Sequence, residues 1–167
     1  KIKVGTIADL IDYRLSSDST VEAVHDRDIE NEFGKFNLIV WRDMINDEYH
    51  FSLSKGDLTK AKSPLVRVQT QSILQDTLGI EELGKNWSIR KSLERIAKED
   101  TGLFVLINHR DAKSYWLNIL EDKEVEPKRN RRVIGVGSQI LRALGLKEIT
   151  VLGLSLIHIS EPTRQQG

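Results

Sequence analysis

The 167-residue sequence contains no cysteine. That absence excludes disulfides, thiolate-held zinc and cysteine nucleophiles. It fits a reducing compartment, and the cytoplasm is the expected location. Net charge is also absent, because 25 Lys and Arg balance 25 Asp and Glu. Proteins dedicated to nucleic acid or to an anionic membrane surface carry a basic excess, so neither partner is expected. No apolar run is long enough to span a bilayer. The charged opening, Lys1-Ile2-Lys3, lacks the apolar segment of a signal peptide. It is also not a methionine start, so the natural chain is expected to begin upstream.

What is present is the material of a core. Hydrophobic residues make up 39% and charged residues 30%, which suits a packed domain. In "TIADLIDYRL", Ile7, Leu10, Ile11 and Leu15 follow helical spacing behind a Thr6 N-cap. The polar "SSDST" then marks a domain junction. "GKFNLIVWRD" alternates around Phe36, Leu38 and Val40, and "EYHFSLSKGD" around Tyr49, Phe51 and Leu53. "PLVRVQT" sets Leu65 on one face and Val66 and Val68 on the other. Three strands in series predict an antiparallel sheet. "NWSIRKSLERIAKEDTG" is a helix with the stripe Ile89, Leu93, Ile96 and Ala97, and Gly102 as its stop. "LFVLIN" reads as a buried strand. "EDKEVEPKRNRR" reads as a polar loop, and "GSQILRALGLKEITVL" as helix, Gly145 stop and strand. "GVGSQ", Gly135 to Gln139, lacks the third glycine of a dinucleotide fingerprint, because Ile140 stands there. It reads instead as a tight strand-to-helix turn with Ser138 as N-cap. The expected class is α/β (α+β), with antiparallel strands in the first half and strand–helix–strand units with sequential contacts in the second.

"PLVRVQTQSILQDTLG", "NWSIRKSLERIAKEDTGLFVLI" and "GVGSQILRALGLKEITVL", in that order after "FGKF" at Phe33 to Phe36, resemble GTP cyclohydrolase II between Val21 and Leu152. "KIKVGTIADLIDYR" resembles the end of 3,4-dihydroxy-2-butanone 4-phosphate synthase. The two occur fused, synthase first, in bifunctional riboflavin-biosynthesis proteins. The resemblance implies a synthase end and linker over 1–19 and a cyclohydrolase-like domain over 20–153. Leu154 to Arg164, "LSLIHISEPTR", resembles residue for residue the translation of a transposon-end adapter used in sequencing libraries. Residues 154–167 are therefore expected to be an artefact and are left out of fold reasoning.

For that family the resemblance implies hydrolysis of GTP with release of formate and pyrophosphate. Zinc lowers the pKa of its bound water to about 7 and so supplies the nucleophile. Three thiolates, spaced C-x10-C-x-C, hold the zinc just after a strand reading R-V-H-S-E. Here that strand reads Arg67-Val68-Gln69-Thr70-Gln71. Arg67 and Val68 keep the match, and the resemblance gives them a vestigial nucleotide-binding role. Glutamines replace the histidine and glutamate, removing their acid and base character. The thiolate positions fall on Ser72, Leu83 and Lys85. A hydroxyl, an alkyl chain and an ammonium group cannot replace three thiolates, so no metal site is expected. His25, His50, His109 and His158 form no H-x-x-x-H or H-E-x-x-H pair and read as surface or packing residues.

The family's nucleotide-gripping R-Q-E-G-R segment is replaced by Asn108-His109-Arg110-Asp111-Ala112. Its catalytic aspartate and arginine, two residues apart, fall on Asn130 and Arg132. Arg132 is thus a vestigial match to a nucleophile whose proton acceptor is gone. With Lys128, Arg129 and Arg131 it reads as a solvated basic loop balancing the acidic run Glu121 to Glu126. The expected role is non-catalytic support or regulation of the fused synthase, including through homo-oligomers, without a cofactor of its own. The magnesium of the family's synthase belongs to the upstream domain. Two alternatives stand beside it: a nucleotide sensor that keeps Arg67 and Arg132 for phosphate contacts, and an active GTP cyclohydrolase II that works without zinc.

Overall fold

The computed structural model describes residues 19–83, 87–108, 117, 120–121 and 127–152. The expected helix at Thr6 to Leu15, Lys85, His109 to Ala112, residues 122–126 and the tail from 153 lie outside the described residues. Six strands form one sheet: β1 (Val21–Asn31), β2 (Gly34–Asp43), β3 (Glu48–Lys55), β4 (Leu65–Thr70), β5 (Gly102–Ile107) and β6 (Thr150–Val151). Helix α1 (Ile89–Ala97) lies between β4 and β5 in sequence, and α2 (Pro127–Ala143) between β5 and β6. A single π turn, Ile73–Thr77, follows β4. None of the described helices is long and apolar enough to cross a membrane.

The class is mixed α and β, as expected, but the sheet order is β1-β2-β3-β5-β4-β6. The first three strands are antiparallel neighbours. β4 does not pair with β3, which corrects the serial reading. β5 lies between them, antiparallel to β3 and parallel to β4. The apolar runs of β4 and β5 fit this interior placement, since such strands are covered on both faces. β6 pairs with β4 rather than with β5, so contacts in the second half are not all sequential.

Each face of the sheet carries one helix and one core. Phe36, Leu65, Leu93, Ile96, Phe104 and Leu152 form the α1-side cluster. Trp41, Val66, Val68, Leu103, Val105, Ile107, Val133, Val136 and Ile140 belong to the α2-side cluster. Leu65 and Val66 therefore part to opposite faces, as the alternation predicts.

Three local expectations need correction. Gly102 does not stop α1 but opens β5. A Cβ there would lie 2.8 Å from Ile96 Cγ2, so the position serves close helix–strand approach. "GVGSQ" is not a turn but the interior of α2. Ser138 Oγ donates to Ile134 O at 2.5 Å and caps nothing. A Cβ on Gly137 would lie 2.9 Å from Val68 Cγ1, so this glycine lets α2 sit directly on β4. Finally, Pro127 to Arg132 is helix rather than loop. Proline is favoured in the first helical turn, because the N–H it lacks has no intrahelical partner there. Gly145, at φ 79°, stops α2 as expected.

Candidate functional site

On the α1 side, Arg67 is almost wholly buried, at 1% exposure. Alternation on β4 places Gln69 on the same face. Arg67 Nε donates to Gln69 Oε1 at 2.7 Å, and Arg67 Nη1 donates to Leu152 O at 3.2 Å. Gln69 Oε1 also accepts from Ser92 Oγ on α1 at 2.8 Å, and Gln69 Nε2 donates to Trp87 O at 3.1 Å. Burial pulls the Arg67 guanidinium down to about 10, while the Asp76 carboxylate opposes that shift. Asp76 lies in the π turn. Its Oδ2 accepts from Ser72 N and its Oδ1 from Ile89 N, both at 2.8 Å. One carboxylate thus joins the start of the turn to the first residue of α1, where negative charge is favoured.

The two described positions that carry thiolates in the family have other duties here. Ser72 N-caps the π turn, its Oγ accepting from Gln75 N. Leu83 ends a short 3-10 turn. A hydroxyl already engaged in a cap and an alkyl side chain do not fit a zinc centre.

On the α2 side, Asp43, Glu48 and His50 bring their ligand atoms within 4.8 Å of one another, and all three are buried. Each is already committed to the protein. Asp43 Oδ1 accepts from Ile45 N at 3.0 Å and Asn46 N at 3.3 Å, and Oδ2 from Asn46 Nδ2 at 2.8 Å. Glu48 Oε1 accepts from Arg132 Nη2. His50 Nδ1 accepts from Asn108 N at 3.0 Å. An accepting Nδ1 leaves the ring hydrogen on Nε2, the opposite tautomer from an Nε2 metal ligand. The guanidinium of Arg132 supplies a positive charge to the buried Glu48 carboxylate.

The structure therefore does not bring Arg67 and Arg132 together. Arg67 bonds toward α1, and Arg132 bonds from α2 to β3 on the opposite face. Val68 is buried at 1% under Gly137 and acts in packing. Arg132 is not part of a solvated loop, because it lies in α2 and is paired with Glu48, which is 6% exposed. The Asp43–Glu48–His50 convergence escaped the sequence reading. Its signal was present in the alternation of β3, where Glu48, His50 and Ser52 share one face. The apolar Tyr49, Phe51 and Leu53 drew attention to the other.

Comparison with known proteins agrees with this architecture. The family model described as GTP cyclohydrolase II matches residues 22–160. A 3,4-dihydroxy-2-butanone 4-phosphate synthase of Pseudomonas aeruginosa is 35% identical over 157 residues, covering 90% of this chain and 43% of that protein. The riboflavin biosynthesis protein RibBA of Phocaeicola vulgatus is 32% identical, covering 90% of this chain and 41% of that protein. The crystal structure of RibBX from A. baumannii, a two-domain 3,4-dihydroxy-2-butanone 4-phosphate synthase, superposes with a TM-score of 0.58 at 28% identity. That match covers 87% of this chain and 38% of RibBX. The chain thus spans less than half the length of these relatives. The family-model match over 22–160, most of the chain, places it in the GTP cyclohydrolase II family.

Proposed function

We propose that this chain is a degenerate, non-catalytic GTP cyclohydrolase II-like domain of a riboflavin-biosynthesis protein. It would support or regulate a 3,4-dihydroxy-2-butanone 4-phosphate synthase domain fused ahead of it, in the cytoplasm. One observation carries the reading: the groups that would act on GTP are missing or occupied by the protein itself. Ser72 caps a turn, Leu83 has no donor atom, Arg67 is buried on Gln69, and Arg132 is paired with Glu48. Water activation at neutral pH needs a metal or a base near the reacting carbon, and these positions provide neither. The relatives from P. aeruginosa and A. baumannii carry the synthase name alone, which supports the same reading.

The test is metal content and turnover on the purified chain. No stoichiometric zinc and no formate from GTP are expected. One tightly held zinc per chain with measurable formate release would overturn the proposal. The sensor reading keeps Arg67 and Arg132 for phosphate contacts, and the burial of Arg67 on Gln69 and the pairing of Arg132 with Glu48 weigh against it. Titration with GTP is expected to give no saturable heat.

A further inference from the structure

Large apolar side chains are exposed at one end of the sheet. Val24 lies at the β1 bulge, Met44 and Ile45 in the β2–β3 turn, and Tyr49 at the start of β3. Their exposures are 44, 44, 73 and 45%. The register puts them at the same end. Ala23 pairs with Trp41, Tyr49 pairs with Arg42, and the Asp43–Glu48 pair closes the turn. Turn tips are normally built from Gly, Asn, Asp or Ser, so an isoleucine at a tip lacks a local explanation. The turn is also rigidly held. The Asp43 carboxylate takes three hydrogen bonds from Ile45 and Asn46, and Arg42 Nε donates to Asp47 at 3.1 Å. Ile45 thus stands on a preformed ledge, with Glu22, Arg42 and Asp47 near its edge. A rigid apolar centre with a charged rim is the make-up of an interface, and rigidity lowers the entropy lost on docking.

The chain enters beside this ledge. Thr20 O accepts from Met44 N at 2.8 Å. Thr20 N donates to Gln139 Oε1 at 2.5 Å, and Gln139 Nε2 donates to Thr20 Oγ1 at 2.7 Å. Thr20 is therefore pinned to both the turn and α2. Thr20, the described residue nearest the upstream segment that contacts the turn, lies beside Met44, so a domain fused upstream would be held at high effective concentration near the patch. The relatives are more than twice as long as the part this chain matches, and one of them is a two-domain synthase. We propose that the Val24, Met44, Ile45 and Tyr49 surface seats the fused synthase domain, so that the two domains meet directly at the junction. This inference rests on the fused parent proposed above.

Hydrogen exchange on the parent polypeptide and on the 167-residue chain tests it. The amides of Val24 and Met44 to Glu48 are expected to exchange about tenfold more slowly in the parent. The double substitution Met44→Asp, Ile45→Asp should erase that difference while leaving the melting temperature of the 167-residue chain unchanged. Equal exchange in the unsubstituted parent and chain overturns the assignment without need of a variant. Protection in the 167-residue chain alone, growing with its concentration, would assign the ledge to a second copy and also overturn it. A parent gene with no synthase ahead of Lys1 would instead refute the proposed function. A synthase present but leaving the ledge unprotected refutes only the docking assignment.

Discussion

Arg132 is about a third exposed, yet Glu48, which it neutralises, is only 6% exposed. Removing the guanidinium takes a counter-charge from a carboxylate inside the sheet–helix layer. Breaking a buried pair from one side costs several kcal/mol. The partial exposure of Arg132 lets water offset some of that, so Arg132→Ala should destabilise by about 2 to 3 kcal/mol. Urea denaturation measures it, and adding Glu48→Gln should recover part of the loss. A solvated loop arginine would show no loss at all. The sequence could show that Arg132 matched the family while Asn130 did not. It could not show the partner, because Glu48 is 84 positions away and the pair is made only when α2 lies across β3. Ser72 was more legible, since a residue type that cannot ligate zinc is visible without coordinates.

At the scale of elements, the π turn and α1 are joined by Asp76. Its two oxygens satisfy Ser72 N and Ile89 N, two backbone donors that no helical bond serves. Asp76→Asn keeps one acceptor oxygen and loses the charge at the helix start. The expected cost is about 1 to 2 kcal/mol. Exchange at the amides of Ser72 and Ile89 should quicken more than exchange in β5. Unchanged protection at both amides would mean that the turn holds without this link. β2, β3, β4, β5 and α1 were legible because each has an apolar period, or an apolar run, that only one element type explains. β1 was not. As an edge strand its pattern is nearly all exposed, so no face needs apolar residues and no period appears. Its charges and its bulge between Ala23 and His25 are instead the devices that keep an edge from pairing with another molecule. The first turns of α2 were hidden for a related reason: Lys128 to Arg132 offers no stripe, and the apolar positions begin only at Val133.

At the scale of the whole molecule, the two cores hold the sheet and its helices together. Leu93 is 7% exposed in the α1-side cluster. Truncating a buried leucine costs about 2 to 5 kcal/mol, a large share of the stability of a domain this size. Leu93→Ala should therefore unfold the chain or lower its melting temperature sharply, as calorimetry would record. In a fused parent it should also lower synthase output or break the assembly, readable by turnover and molecular mass. Full synthase activity with this domain unfolded would show that the synthase does not depend on it. The sheet order has a further consequence, for synthesis. β4 is made well before β5, yet β5 must enter between β3 and β4 before β4 can join the sheet. Until then Val66 and Val68 have neither strand nor helix to cover them. A nascent chain halted between Thr70 and Gly102 would present a three-stranded meander followed by an unpaired apolar strand, a species prone to aggregate. Translation pauses in that interval are the ones this fold can least tolerate.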